Sequence, residues 1–189
     1  MTEFEKMVSG QWYLPLAPEL TELHRRAMAL CHAANQLPPE REGERMELLR
    51  SLFGKTGAAF TVTPSFYCDY GVNITLGDGF YANYNCVILD CAPVYFGDNV
   101  LVGPNCGFYT AIHPLDAAHR ATGEEKAAPI TVGSDVWFGG SVTVLPGVTI
   151  GDRAVIGAGS VVTRDIPPDV LAVGNPCRVL RPISECREP

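Results

Sequence analysis

Over most of this chain the apolar positions follow neither the 3.6-residue period of a helix nor simple two-residue alternation. From Val132 to Pro167 they keep a six-residue period that divides without a gap into VGSDVW, FGGSVT, VLPGVT, IGDRAV, IGAGSV and VTRDIP. Each unit opens on an apolar residue, and four of the six place glycine next. This pattern predicts a solenoid of short strands and tight corners, with the openers pointing inward and stacking into one continuous core. The same beat runs from Tyr70 to Pro93 as YGVNIT, LGDGFY, ANYNCV and ILDCAP. It slips by two residues at Val94-Tyr95 and resumes from Phe96 to His113 as FGDNVL, VGPNCG and FYTAIH. Three hexads make one coil, so equivalent openers fall eighteen residues apart. Glycine and asparagine in second place suit corners that need positive φ. Cys86 and Cys106 stand in fifth place, where a small apolar side chain packs into the core.

The beat is absent from residues 1–57, which read as helical. Pro18-Glu19-Leu20 resembles a helix start, and Leu20, Leu23, Ala27, Leu30 and Cys31 recur at helical spacing to about Asn35. After Pro38-Pro39 a second helix is expected from about Glu40 to Phe53, with Met46, Leu49 and Phe53 on one face. Arg41, Glu42, Glu44, Arg45 and Glu47 are expected on its solvated face. Residues 58–175 are expected to form the solenoid, the first dozen as a less regular capping coil, and residues 176–189 a tail. One long insertion interrupts the coils at 114–131, directly after His113. A long loop at one corner of a solenoid points to function, not to folding.

Composition narrows the function. The net charge of −7 arises within residues 58–175, which hold 11 acidic and 4 basic side chains. No broad basic face exists, which argues against nucleic acid or an anionic membrane surface as partner. No apolar run approaches the roughly 18 residues that span a bilayer, and the N-terminus lacks a signal-like stretch. Seven cysteines without CxxC spacing fit reduced thiols in a cytoplasm better than a disulfide framework or a zinc site.

The hexads alone are similar to those of several solenoid enzymes. Longer segments are more specific: EKMVSGQWY, CDYGVNITLGDGFYANYNCVILD, FGDNVLVGPN, TAIHP, the run from Pro129 to Pro167, and GNPCRVLR. In this order, over nearly the whole chain, they resemble the maltose and galactoside O-acetyltransferase family of hexapeptide-repeat acetyltransferases. The CDYG and LDCAP segments resemble the maltose branch more than the galactoside branch. The resemblance implies an all-β solenoid wound as a left-handed parallel β-helix with an N-terminal helical segment. It also implies acetyl-CoA as co-substrate, a sugar or polyol acceptor, no metal, and a homotrimer with each active site between two β-helices. One departure stands out. The family commonly reads Asp-Pro-x-Asp-Pro-Glu-Leu where this chain has Leu14-Pro15-Leu16-Ala17-Pro18-Glu19-Leu20, so both acids are apolar and the acceptor is left open.

Acetyl transfer to a sugar hydroxyl needs a base, and an imidazole, with an ordinary pKa of about 6.5, is suited to that work. His113, in TAIHP, matches the family's catalytic histidine. His24 and His32 match no motif, and His119 is expected to be a solvated loop residue. Asn83 matches a family asparagine near the reacting centre, where it serves acceptor binding and the oxyanion; the alternative is a corner asparagine in left-handed geometry. Asp69 and Cys91 fall where the family contacts the acceptor, and Cys91 is not expected to be a nucleophile. Gly139-Gly140 and Gly157-Ala158-Gly159 lie one coil apart and are expected to form a narrow groove for the pantetheine arm, with Gly140 and Ala158 against it. Thr163, Arg164, Arg178 and Arg181 match the family's CoA-phosphate region. A γ-carbonic anhydrase needs three zinc-binding histidines, whereas only His113 and His119 lie near the solenoid. Two alternatives remain: a hexapeptide acetyltransferase for another acceptor, and a non-catalytic binding module.

Overall fold

A computed structural model describes residues 1–185; Cys186 and the last three residues of the expected tail lie outside that range. Three helices lead the chain: α1 (Glu3–Val8), α2 (Pro18–Gln36) and α3 (Glu42–Leu52), the last preceded by a 3-10 turn at Pro39–Arg41. Thr2 and Glu5 form a capping box at the start of α1, satisfying two otherwise unpaired N–H groups. Pro18 opens α2, as its place in the sequence suggests. Leu20, Ala27, Cys31 and Ala34 form the buried stripe of α2.

Arg45 corrects the expectation of a fully solvated outer face on α3. It is 5% exposed, and its guanidinium donates to the carbonyls of Ala34 at 3.3 Å and Leu37 at 2.8 Å. Those carbonyls end α2, where unpaired acceptors and the helix dipole favour a cation. Arg45 therefore joins α2 to α3 through its charged end.

The strands wind as a three-faced parallel solenoid of about six turns. In the first coil are β1 (Phe60–Val62) and β2 (Phe66–Cys68). The second holds β3 (Ile74–Leu76), β4 (Phe80–Ala82) and β5 (Cys86–Leu89), and the third β6 (Val94–Phe96), β7 (Leu101–Val102) and β8 (Gly107–Tyr109). Then come β9 (Ala111–Ile112), which precedes the inserted segment, and the short α4 (Ala117–Arg120) and β10 (Lys126–Ala127), which belong to it. Winding resumes with β11 (Ile130–Val132), β12 (Trp137–Phe138) and β13 (Thr143–Val144). The fifth coil has β14 (Thr149–Ile150), β15 (Val155–Ile156) and β16 (Val161–Val162), and β17 (Val170–Val173) and β18 (Arg178–Pro182) close the stack.

The first face orders its strands β14-β11-β6-β3. The second runs from β1 through β4, β7, β12 and β15 to β17, with β18 added antiparallel; the third is β16-β13-β8-β5-β2. The register bears out the stacking of openers, since Leu76 pairs with Phe96 and Val132 with Ile150. Residues 58–69, expected to be less regular, join two of the three ladders, with Phe60 paired to Phe80 and Phe66 to Cys86, while on the first face that coil has only the isolated bridge of Lys55 to Thr75.

First-place and fifth-place side chains both fill the interior. Val132, Phe138, Val144, Ile150, Ile156 and Val162 are at most 2% exposed, and Cys86 and Cys106 are buried as well. Phe80, Phe96, Phe108 and Phe138 stack up the axis with ring centroids 4.9–5.2 Å apart, a spacing at which each aromatic pair adds about 0.5–1.5 kcal/mol beyond its burial.

The corners differ from expectation in one respect. Left-handed backbone falls mostly on the fourth place, at Asn85, Asn99, Asn105, Asp135, Ser141 and Arg153 among others, and on the second at Gly71. The second-place glycines serve a different need, namely stacking. A Cβ on Gly133 would stand 2.3 Å from the Asp152 carboxylate, and one on Gly77 2.4 Å from the Gly97 carbonyl. The coils approach too closely at those corners for any side chain.

Candidate active site

Two edges of the solenoid carry the residues singled out in the sequence. The edge between the third and first faces carries Asp69, Cys91 and His113, which line one pocket of about 320 Å³ with Thr21, His24 and Glu125. Pro15, Leu16 and Ala111 give the same pocket an apolar rim.

The inserted segment builds the part of that wall that faces His113. It folds back so that β10 pairs antiparallel with β9, Lys126 opposite Ile112 and Ala127 opposite Ala111. One further step of that register puts Glu125 opposite His113, and their side chains meet with Nε2 3.5 Å from Oε2. The His113 side chain is 62% exposed and the Glu125 side chain only 10%. On its other flank Glu125 pairs with Tyr13, main chain to main chain, at 2.9 and 3.1 Å. The buried Tyr13 hydroxyl donates to Glu125 Oε1. Burial, followed by the neighbouring Cys91 and Glu125, pushes the Tyr13 phenol far above its ordinary value, so it remains a donor. The result is a chain from a buried phenol through a nearly buried carboxylate to an exposed imidazole.

Asp69 and Cys91 meet directly, the thiol donating to Asp69 Oδ2 at 3.4 Å. Burial raises the Asp69 carboxyl, against the opposing pull of the Cys91 hydrogen bond and His24. Burial, then the Asp69 charge, pushes the Cys91 thiol well up, which makes it a poor nucleophile. Beneath them Asp90 is fully buried. It accepts from the main-chain nitrogens of Tyr70 at 2.8 Å and Asn73 at 3.2 Å, and burial raises its carboxyl to about 6.

Sequence reasoning missed Tyr13 and Glu125, and it set His24 aside. His24 lines the pocket and its Nδ1 lies 2.9 Å from the Asp69 carbonyl. His119 is not free in solvent as expected. Its ring centroid lies 4.5 Å from that of Trp12, and its Nε2 3.1 Å from Glu124.

Asn83 lies on the other edge, between the second and third faces. Asn83, Gly103, Gly139 and Gly157 succeed one another there, each nitrogen bonded to the carbonyl of the next coil at 2.8–2.9 Å. Left-handed geometry belongs to Asn85, not Asn83. Asn83 Oδ1 accepts from the Tyr84 nitrogen at 2.7 Å, and among the described residues its Nδ2 has no acceptor. Gly140 and Ala158 share this edge. Thr163 and Arg164 follow β16, and Arg178 and Arg181 project from β18; all four are exposed. Arg178 donates to the Cys177 carbonyl at 2.7 Å. Among the described residues neither Arg164 nor Arg181 has an ion-pair partner. The structure thus gathers His113, Asp69 and Cys91 into one pocket and leaves Asn83 with the glycine edge, outside it. No cluster of three or more metal-ligating side chains occurs among the described residues, and none of their helices is long and apolar enough to cross a membrane.

Six-residue repeats wound three to a coil in a parallel solenoid, with a histidine at the root of an inserted hairpin, define the class of hexapeptide-repeat transferases. The maltose acetyltransferase hexapeptide capping motif matches residues 6–57, and the bacterial transferase hexapeptide of six repeats matches residues 129–164. A maltose O-acetyltransferase from Clostridium difficile has a solved structure that superimposes with a TM-score of 0.95, at 46% identity, covering 96% of this chain and 97% of that one. A hexapeptide-repeat acetyltransferase from Vibrio cholerae, solved in complex with acetyl coenzyme A, gives a TM-score of 0.90 at 44% identity, covering 96% and 98%. The galactoside O-acetyltransferase of Escherichia coli is 42% identical over 181 residues, 96% of this chain and 89% of that protein. The chain belongs to the maltose and galactoside O-acetyltransferase family and is an acyltransferase.

Proposed function

We propose that this protein transfers the acetyl group of acetyl-CoA directly to a hydroxyl of a sugar or similar polyol, with His113 as general base. The observation that carries this reading is the Tyr13–Glu125–His113 chain at the rim of a pocket of sugar size. A hydroxyl is barely ionised at neutral pH, so the base must act as the C–O bond forms. His113 takes the hydroxyl proton while Glu125 stabilises the imidazolium that results. Tyr13, kept protonated by burial, holds Glu125 in place. The proton then passes from His113 to the sulfur as the C–S bond breaks, yielding CoA thiol and the acetyl ester. Asp69, Thr21 and His24 offer the acceptor hydrogen bonds. Acetyl-CoA as donor is supported by family membership and by the acetyl-CoA complex of the Vibrio cholerae relative.

The oxyanion of the transfer calls for a donor, and the free Nδ2 of Asn83 is suited to it. Because Asn83 and His113 stand on different edges, the reading includes a homotrimer in which the Asn83 edge of one chain faces the His113 pocket of the next. The narrow corner at Gly139, Gly140 and Ala158 takes the pantetheine arm. Thr163, Arg164, Arg178 and Arg181 hold the phosphates, to which the planar guanidinium is well matched. The six cysteines among the described residues are all free and buried, which fits a reducing cytoplasm. The apolar rim of Pro15 and Leu16 favours an acceptor other than maltose as a second reading.

The test is acceptor-dependent release of CoA thiol from acetyl-CoA over a panel of sugars. His113→Ala is expected to lower kcat by at least about 10²-fold, the scale of lost base catalysis, with an unchanged circular dichroism spectrum. Turnover near that of the natural protein in the variant contradicts the mechanism.

A further inference from the structure

Asp69 is a half-buried carboxylate in the pocket wall; among the described residues no lysine or arginine pairs with it, and the basic group that bears on it is His24. Among the described residues the one donor to its side chain is the Cys91 thiol, a weak donor. The other pocket carboxylate, Glu125, is already engaged by Tyr13 and His113. No lysine or arginine lines the pocket. The Nδ1–H of His24 donates to the main-chain oxygen of Asp69 and not to the carboxylate. The edge argued to complete the site also brings no cation, since Asn83, Tyr84, Gly103, Pro104 and Gly140 are all uncharged. Burial raises the Asp69 carboxyl, with the Cys91 hydrogen bond and His24 opposing it, so a bound cation at this place favours its charged form. With Glu125 engaged, Asp69 is the carboxylate of the pocket lining left for an acceptor.

We propose that Asp69 receives the ammonium group of a protonated amino sugar, one of whose hydroxyls is thereby presented to His113. This inference rests on the proposed acetyl transfer and names the acceptor class for it. Charge pairing keeps the amine protonated, so it holds no lone pair for attack and the product is an O-acetyl ester. The C–O bond forms as the C–S bond breaks. The hydroxyl proton travels through His113 to the thiolate, and the ammonium is unchanged.

The experiment compares kcat/KM for D-glucosamine and D-glucose, read as CoA thiol release at neutral pH, in the natural protein and in Asp69→Asn. A hydrogen bond between charged partners is stronger than one to a neutral hydroxyl, and glucosamine is expected to be favoured by about tenfold or more. The ratio should fall toward one in Asp69→Asn, with Asp69→Ser as a second variant should the first fold poorly. The product should retain a ninhydrin-reactive amine. A ratio near one in the natural protein, a ratio unmoved by either substitution, or an N-acetyl product overturns the inference while leaving acetyl transfer to sugars intact. No transfer to any sugar overturns the underlying reading, and this inference falls with it.

Discussion

A Cβ on Gly139 would lie 2.6 Å from the Ala158 nitrogen, whereas one on Gly140 meets nothing nearer than Pro104 at 3.4 Å. The neighbouring glycines therefore answer to different demands, the first to coil stacking and the second to the space outside the edge. Gly139→Ala is expected to lower stability by about 1–3 kcal/mol, the cost of forcing a methyl into a closed contact, measured as a shift in the denaturant midpoint. Gly140→Ala should leave that midpoint in place and raise KM for acetyl-CoA several-fold. An unchanged KM contradicts the pantetheine groove. Asp90 supplies a pH signature. Its carboxyl titrates at about 6 when folded and at about 4 when unfolded, so the folded state binds the proton more tightly. Its contribution is full below pH 4, declines as pH rises to 6, and is constant above. The Tm of the natural protein minus that of Asp90→Asn should fall across this window in thermal scans. A flat difference contradicts the assignment.

At the scale of elements, the functional arrangement depends on β9, β10 and the Tyr13 bridge holding one another. Glu125→Gln keeps the shape of the hairpin and removes the charge that stabilises the His113 imidazolium. It is expected to lower kcat by about 10–10²-fold, within the range for proton-transfer catalysis, with KM for the acceptor little changed; equal loss through KM alone contradicts the role. The solenoid strands were legible in the sequence because their burial is periodic: every sixth residue faces one shared core. His113, picked out by the resemblance of TAIHP to the family at the point where that period stops, lines the pocket. Glu125 and Tyr13 were not, because their meeting depends on antiparallel pairing between an aperiodic insertion and a segment 112 residues away. The burial of Arg45 was hidden for a related reason, since its partners are the carbonyls ending another helix. The second-place glycines were read correctly in position but not in cause, because single-chain periodicity carries no record of how closely successive coils approach.

At the scale of the whole molecule, the solenoid carries two edges of different chemistry. One bears a base and polar groups for an acceptor, and the other bears Asn83 and the glycine corner. In the proposed trimer one edge of each chain meets the other edge of its neighbour, the head-to-tail contact that closes a ring. In the proposed trimer, acetyl transfer needs His113 and Asn83 from different chains. This requirement is tested most directly by mixing His113→Ala with Asn83→Ala under conditions that exchange subunits, then measuring acceptor-dependent CoA thiol release. Each variant alone should be nearly inactive, and the mixed oligomer should exceed both, because some interfaces then pair an intact His113 with an intact Asn83. A mixed oligomer no more active than its parents contradicts the account.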